Sequence, residues 1–403
     1  MTKLEQLIEQ LCPDGVEYKT IGEIAVDIYR GSGIKRNEVT ADGIPCVRYG
    51  EIYTSYNIWF DSCISHTKLE YVKSPKYFEH GDILFAITGE SVEEIAKSIA
   101  YVGFEKCLAG GDIVVLKHNQ NPKYLSYALS TVDAQKQKSA GKVKSKVVHS
   151  SVPAIKAITI PIPPLEVQAE IVRILDKFTE LTTELTTELA NRKKQYEYYR
   201  YSLLNNVDNT IRKKLGELVE FRNGKGHEKS IVAEGKYIVV NSKFISTNGS
   251  VKKYSNNQIC PLYIDEILMV MSDLPNGRAL AKCFLVEKNE TYTLNQRIGA
   301  FHVKSNEIIT KFLFYVLNRN SQLLRYDNGV DQTNLRKDDI LNIHIPVPPI
   351  EEQQRIVAIL DRFDALCNDI SEGLPAEIET RQKQYEYYRD KLLTFKEVGT
   401  SET

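Results

Sequence analysis

Long apolar runs are absent from the 403 residues: no stretch of about 18 apolar side chains occurs, which excludes a membrane-spanning helix by sequence. The start, MTKLEQLIEQL, has neither the basic flank nor the apolar run of a signal peptide, so a cytoplasmic protein without membrane association is expected. Paired cysteine motifs are missing too. Cys12, Cys46, Cys63, Cys107, Cys260, Cys283 and Cys367 are scattered and odd in number, without a C-x-x-C, which fits reduced core residues rather than a disulfide framework or zinc site. Charge of one sign is not in excess, with 52 Lys plus Arg against 53 Asp plus Glu, and a nucleic-acid binder usually shows a basic surplus. Aromatic and branched residues run from end to end, which excludes a disordered chain, and the length allows two or three domains.

Catalytic constellations are also lacking. The chain has no G-x-x-x-x-G-K-[ST] phosphate loop and no dinucleotide G-x-G-x-x-G. Asn121-Pro122-Lys123-Tyr124 is similar to the Asn-Pro-Pro-Tyr element of adenine methyltransferases, but Lys123 replaces the second proline and a turn is expected. Pro13-Asp14 with Glu17 and Lys19 is too tightly spaced for a nuclease carboxylate cluster, and the seven histidines show neither ligand spacing nor a partner nucleophile. No catalysis, metal or cofactor is expected on this chain.

What is present is an internal repeat. RKKQYEYYRYSLL (192–204) and RQKQYEYYRDKLL (381–393) are identical at ten of thirteen positions, and IPIPPLEVQAEIVRILDKF (160–178) matches IPVPPIEEQQRIVAILDRF (345–363). The offsets are 185 and 189 residues, too long for a solenoid repeat, so the chain is read as a duplicated domain-plus-helix unit. Weaker echoes extend the match: Ile21-Gly22-Glu23-Ile24 with Leu215-Gly216-Glu217-Leu218, Gly31 with Gly224, and the buried-strand patterns GDILFAI (81–87) and DEILMVM (265–271). Each repeated block starts after a Pro-Pro pair and continues with apolar residues at steps of three and four, the pattern of a coiled-coil seam. TELTTELTTEL (179–189) lies in the first, and Gly373-Leu374-Pro375 predicts a break in the second. The predicted fold class is α+β: two tandem mixed α/β domains, 1–157 and 207–342, separated by long helices, 158–206 and 343–396, that form a pseudo-two-fold antiparallel coiled coil before a 397–403 tail.

Charge counted by segment revises the first impression. Residues 1–157 hold 19 basic and 19 acidic side chains, 158–205 hold 6 and 7, 206–342 hold 20 and 15, and 343–403 hold 7 and 12. The second domain is therefore basic. The first carries a local stretch of Lys136, Lys138, Lys142, Lys144, Lys146 and Lys156 with no acid between 134 and 156, which reads equally as a phosphate-contacting surface or a solvated loop.

The repeated IP-[IV]-PP-[LI]-E-x-Q-x-x-IV-x-ILD-[KR]-F blocks, the Thr-Glu-Leu repeat and the twin QYEYYR helices resemble the specificity subunit of type I restriction-modification systems, especially the C subfamily. The resemblance implies that each variable domain reads one half of a bipartite double-stranded DNA target, that the helices fix the distance between the halves, and that Thr-x-Glu-Leu units set the spacer. It further implies two modification subunits and restriction subunits as partners, with S-adenosylmethionine, ATP and Mg on those partners and none on this chain. Base reading requires hydrogen-bonding side chains on loops held by a scaffold. The candidates are Arg30, Lys35, Arg36, Arg48, Lys142, Lys144 and Lys146 in the first domain. In the second they are Arg222, Asn223, Lys225, Arg278, Gln296, Arg297, Gln332, Asn334 and Arg336. Tyr196, Tyr199, Tyr385 and Tyr388 fall on the apolar seam and are expected in the core, whereas Tyr198 and Tyr387 lie off it and are candidates for partner docking. Two rivals remain open: a coiled-coil adaptor that binds proteins rather than DNA, and a stand-alone adenine methyltransferase using Asn121 to Tyr124.

Overall fold

A computed structural model describes residues 2–142, 146–205, 210–275, 279–368 and 372–399. Its packing divides into two units: Met1–Thr186 with Glu377–Thr403, and Thr187–Ala376. Packing thus departs from chain order, because the second repeated tyrosine helix is part of unit one and the first is part of unit two.

Unit one carries two five-stranded sheets. The first runs Ala25–Arg30, Ile113–His118, Ile83–Ala86, Ser98–Tyr101, Trp59–Phe60, and the second runs Val39–Thr40, Ser65–Thr67, Ile44–Val47, Cys107–Ala109, Tyr77–Phe78. The strand read from GDILFAI is central and buried along its whole length, which is why it appears as a continuous apolar run. Its period of two sorts two cores. Leu84, with its register partners Ile99 and Val115, faces a cluster that includes Phe60, Phe78 and Tyr101, whereas Ile83 and Phe85 join Ala100, Val114 and Leu116 under the helices.

Unit two repeats the plan with four-stranded sheets: Val219–Asn223, Ile298–Val303, Ile267–Val270, Cys283–Leu285, and Ile231–Val232, Tyr254–Ser255, Tyr237–Val240, Tyr292–Leu294. The alternation is the same, with Leu268, Val270 and Ala300 toward one core and Ile267, Met269 and Phe301 toward the helical one.

The identical residues of the repeat do identical local work. Gln168 donates through Nε2 to the Pro163 carbonyl at 2.8 Å and accepts the Asn121 N–H at 3.0 Å; Gln353 donates to the Pro348 carbonyl at 2.8 Å and accepts the Ile309 N–H at 2.8 Å. Each glutamine thereby satisfies backbone groups left over at helix starts. Two residues before the motif's end, Asp176 takes Lys123 Nζ at 2.7 Å and Tyr127 OH at 2.8 Å, and Asp361 takes Lys311 Nζ at 2.8 Å and Tyr315 OH at 2.6 Å. The repeated string is therefore the latch between each domain and its following helix.

The helices are Leu165–Asn205, 41 residues long, then Ile350–Asn368 and Leu374–Leu392, the last beginning within the Gly-Leu-Pro segment with Pro375 in its first turn. Three expectations need correction. Asn121 is not in a turn but caps the helix Pro122–Ala128, accepting the Tyr124 N–H at 3.2 Å, because an extended Asn followed by Pro is a favoured helix start. Tyr196 and Tyr385 are core at 9% and 7% exposure, but Tyr199 and Tyr388 remain about half exposed, each with one ring face against Phe363 or Phe178. Lys138 does not belong to a basic surface: its ammonium is buried and donates to the Leu129 carbonyl and Ser98 Oγ.

Candidate functional site

The glycines Gly31 and Gly224 mark one construction used twice. A Cβ at either would collide with a carbonyl oxygen of the adjoining turn, Gly110 in unit one and Asn295 in unit two. Only glycine allows the chains to approach this closely. The backbone bonds correspond one for one: Gly31 N–H to Ile113 O and Ser32 N–H to Ala109 O, against Gly224 N–H to Ile298 O and Lys225 N–H to Leu294 O. Next to them Ile87 N–H reaches Asp112 O as Met271 N–H reaches Arg297 O, and Ser150 N–H reaches Ile87 O as Leu335 N–H reaches Met271 O. Gln296-Arg297 therefore occupies the position of Gly111-Asp112, and Arg48 stands where Asn241 does, since Gly110 N–H bonds Val47 O and Asn295 N–H bonds Val240 O. The frame is equal in the two units and its outward chemistry is different.

In unit one this turn is bare and acidic. Arg30 donates to the Gly111 carbonyl and pairs with Asp112; Arg48 pairs with buried Glu51 at 2.9 Å. Lys35 and Arg36 are exposed where the chain leaves the Gly31–Gly33 segment, with Lys35 3.6 Å from Glu38. Lys142 is half-buried, Lys146 is exposed next to the strand Val148–His149, and Lys144 lies outside the described residues.

In unit two the same turn is polar and cationic. Lys225, Gln296 and Arg297 are exposed together, and Gln332 and Asn334 join them on the adjoining strand pair Ser272–Asp273 with Thr333–Asn334, where Gln332 Nε2 donates to Ser272 Oγ at 2.7 Å. Asn223 is exposed at the end of its strand, and Arg336 is exposed at the start of the helix Lys337–Leu341. Arg222 is drawn inward instead: it forks onto Glu266 at 2.6 and 2.8 Å and bonds the Pro261 carbonyl, so most of its donors are spent on the fold. Arg278 lies outside the described residues. Arg297 has φ of 68°, a left-handed conformation that costs a non-glycine residue about 1–2 kcal/mol.

The sequence alone did not single out Glu228, Asn241, Ser242 and Lys243, which with Asn295, Gln296 and Arg297 line an open cavity of about 320 Å³. Aligning VRYGE with VNSKF after the matching strands would have been the available signal. Among the described residues, no group of three or more His, Cys, Asp or Glu could hold a metal, and no helix is long and apolar enough to cross a membrane.

Tyr198 and Tyr387 stand at equivalent positions of the two tyrosine helices, exposed at 69% and 61%, each with its ring edge against the next tyrosine. Tyr201, exposed to a similar degree, was not anticipated.

Comparison with known proteins agrees with this duplication. The profile of the Type I restriction modification DNA specificity domain matches residues 13–195 and again 207–380. A type I restriction enzyme specificity subunit of Escherichia coli is 36% identical over 296 residues, covering 68% of this chain and 70% of that protein. A putative type I restriction enzyme specificity subunit of Haemophilus influenzae is 33% identical over 273 residues, covering 64% of this chain and 68% of that one. In fold, the chain is similar to the S subunit of a type I restriction-modification system from M. genitalium, with TM-score 0.53 and 15% identity over 94% of this chain and 96% of that one. A second similar structure, from work on assembly of the type I R-M system, gives TM-score 0.60 and 16% identity over 95% and 98%.

Proposed function

The chain belongs to the family of type I restriction-modification specificity subunits, and from that membership we propose that its two units each read one half of a bipartite double-stranded DNA target. It is a non-catalytic subunit of a system whose catalytic activities reside on partner subunits. The observation that carries the reading is the duplicated turn: one backbone frame presents Gly111-Asp112 in unit one and Gln296-Arg297 in unit two, as expected of two readers with different half-sites. Phosphate contacts position a protein on DNA and base-edge contacts specify sequence. Lys225, Asn223, Gln296, Arg297, Gln332, Asn334 and Arg336 supply such donors and acceptors in unit two, and Lys35, Arg36, Lys142 and Lys146 in unit one. Arg30, Arg48 and Arg222 contribute by holding the frame. A protein-binding adaptor would not require the cationic turn.

Assembly with the other subunits of the system follows from the family. In the finer reading, two modification subunits dock one on each tyrosine helix through Tyr198 and Tyr387, restriction subunits join them, and S-adenosylmethionine, ATP and Mg are bound by those partners in the cytoplasm. With a formal net charge of −1, the chain alone holds DNA weakly, and firm binding needs partners to complete a basic channel.

A binding titration and a co-purification test the two surfaces. Arg297→Ala and Gln332→Ala should each weaken specific binding of the assembled complex by about 10-fold or more at fixed salt, yet co-purify with the modification subunits. The double variant Tyr198→Ala, Tyr387→Ala should lose those subunits. Unaltered target affinity in the first pair would refute the reading turn, and intact co-purification of the double variant would refute the docking role.

A further inference from the structure

We infer that unit two holds a small oxyanion, a phosphate or a carboxylate, in the cavity between its tyrosine helix and the turn 319–322, where the anion replaces a carboxylate that unit one supplies from its own chain. The inference is independent of the DNA-reading function proposed above, since the site lies outside the reading turn and its test involves no DNA.

The repeat shows which group is missing. Arg200 and Arg389 are the same arginine of the two QYEYYR blocks, but the residue that follows is Tyr201 in the first and Asp390 in the second. Arg389 Nε donates to Asp390 Oδ1 at 2.8 Å, and the two form an ion pair. Tyr201 has no carboxylate to give. Arg200 is nevertheless almost as buried as Arg389, and its Nε is enclosed without a hydrogen-bond partner. Its Nη2 donates to the carbonyls of Tyr315 and Asn318, which carry no charge. Its one ion pair among the described residues, to the exposed Glu197, is long at 3.8 Å. Buried donors normally have acceptors, and a buried cation normally has a counter-charge.

The surroundings favour an anion as the absent partner. The cavity has a volume of about 230 Å³ and is lined by Arg200, Arg212 and Arg319 with His344, while Glu197 is its one acidic residue. Among the described residues no ion pair involves Arg212 or Arg319, although Arg319 Nη1 is spent on the Leu280 carbonyl at 2.9 Å. The amide donors of the wall are committed as well: Asn320 Nδ2 to the Val316 carbonyl at 2.9 Å and Gln322 Nε2 to the His344 carbonyl at 2.9 Å. What stays open is guanidinium N–H, whose planar fork suits carboxylate and phosphate oxygens. The volume accommodates one such group with a few waters. An oxyanion there joins three pieces of unit two: the tyrosine helix through Arg200, the strand Ile211–Lys214 through Arg212, and the turn after the helix Thr310–Leu317 through Arg319.

The test is hydrogen exchange of the full chain, followed by mass spectrometry in phosphate, acetate and chloride of equal ionic strength. Exchange in 196–204 and 310–324 should slow about 10-fold relative to chloride once the anion stands at about ten times its Kd. The counterparts in unit one, 124–139 and 385–393, should not respond. The larger of the phosphate and acetate responses identifies the class of anion. Tyr201→Asp, at an exposed position, builds in the carboxylate of unit one and should abolish the response; Arg212→Ala, also exposed, should lose most of it. Equal exchange in all three salts, equal slowing in both units, or a full response in both variants would overturn the inference.

Discussion

A chain ending at Gly373 is expected to lose the fold of unit one while keeping that of unit two. Residues from 377 onward provide Tyr385 and Leu393 to the helical core of unit one, and Leu392 and Phe395 pack against it. They also dock by backbone: Val16 N–H bonds the Lys396 carbonyl at 2.8 Å, Val398 N–H bonds the Val16 carbonyl at 3.2 Å, and Tyr18 OH donates to the Phe395 carbonyl at 3.1 Å. Loss of each buried large side chain costs about 2–5 kcal/mol, and the total stability of a domain is only about 5–15 kcal/mol. Removing the whole segment uses up most of that margin. Limited proteolysis should then digest residues 2–186 at a temperature where the full chain resists, with 187–373 still protected. Equal protection of both units would show that the terminal segment is dispensable.

The second large effect concerns the lysine that the sequence placed on the surface. Burial pushes the Lys138 ammonium down to about 7 from an ordinary 10.5, and its two oxygen partners, Ser98 Oγ and the Leu129 carbonyl, are uncharged. The folded-state value is depressed, so between about pH 7 and 10.5 the unfolded chain binds a proton that the folded chain does not. Stability from this group therefore rises with pH across that window, and its full penalty is present below pH 7. Lys138→Met keeps the aliphatic length and removes the charge. Unit one of the variant should be more stable than the wild type at pH 6, by about 1–3 kcal/mol after allowing for the hydrogen bonds lost. The gain should shrink as the pH approaches 10. Urea melts of the full chain at pH 6 and pH 9 read this directly, and parallel shifts at both values would contradict it.

Much of the architecture was written in the repeat. The Pro-Pro starts and the buried ILFA and ILMV strands stand where periodicity put them, because each depends on local chemistry or on a run of apolar residues, and Gly31 and Gly224 stand at equivalent places as their echo in the repeat suggested. The latch from Asp176 to Lys123 and Tyr127 was visible only as a repeated letter: its partners lie about fifty residues away in sequence, and no local rule pairs them. The return of the second tyrosine helix to unit one agrees with the antiparallel pairing expected of the long helices, but the residues it meets there were not legible, since helical periodicity shows that a face is apolar but not what covers it. At the candidate site, residue type selected Gln296 and Arg297, which are exposed, and equally Arg222, whose buried acidic partner Glu266 lies 44 residues on. Composition likewise counted Lys138 toward a basic stretch from which its burial removes it. Local pattern reads the frame, and long-range pairing decides which side chains are free to read DNA.

One chain would then carry two different readers, one in each unit. The most direct test is the adenine-methylation map of cells that express the chain with its modification subunits, set against cells that lack the chain. The expected result is one asymmetric motif of two defined halves separated by a fixed, unspecified spacer, present only with the chain. A continuous or palindromic motif, or a map that is the same without the chain, would contradict it.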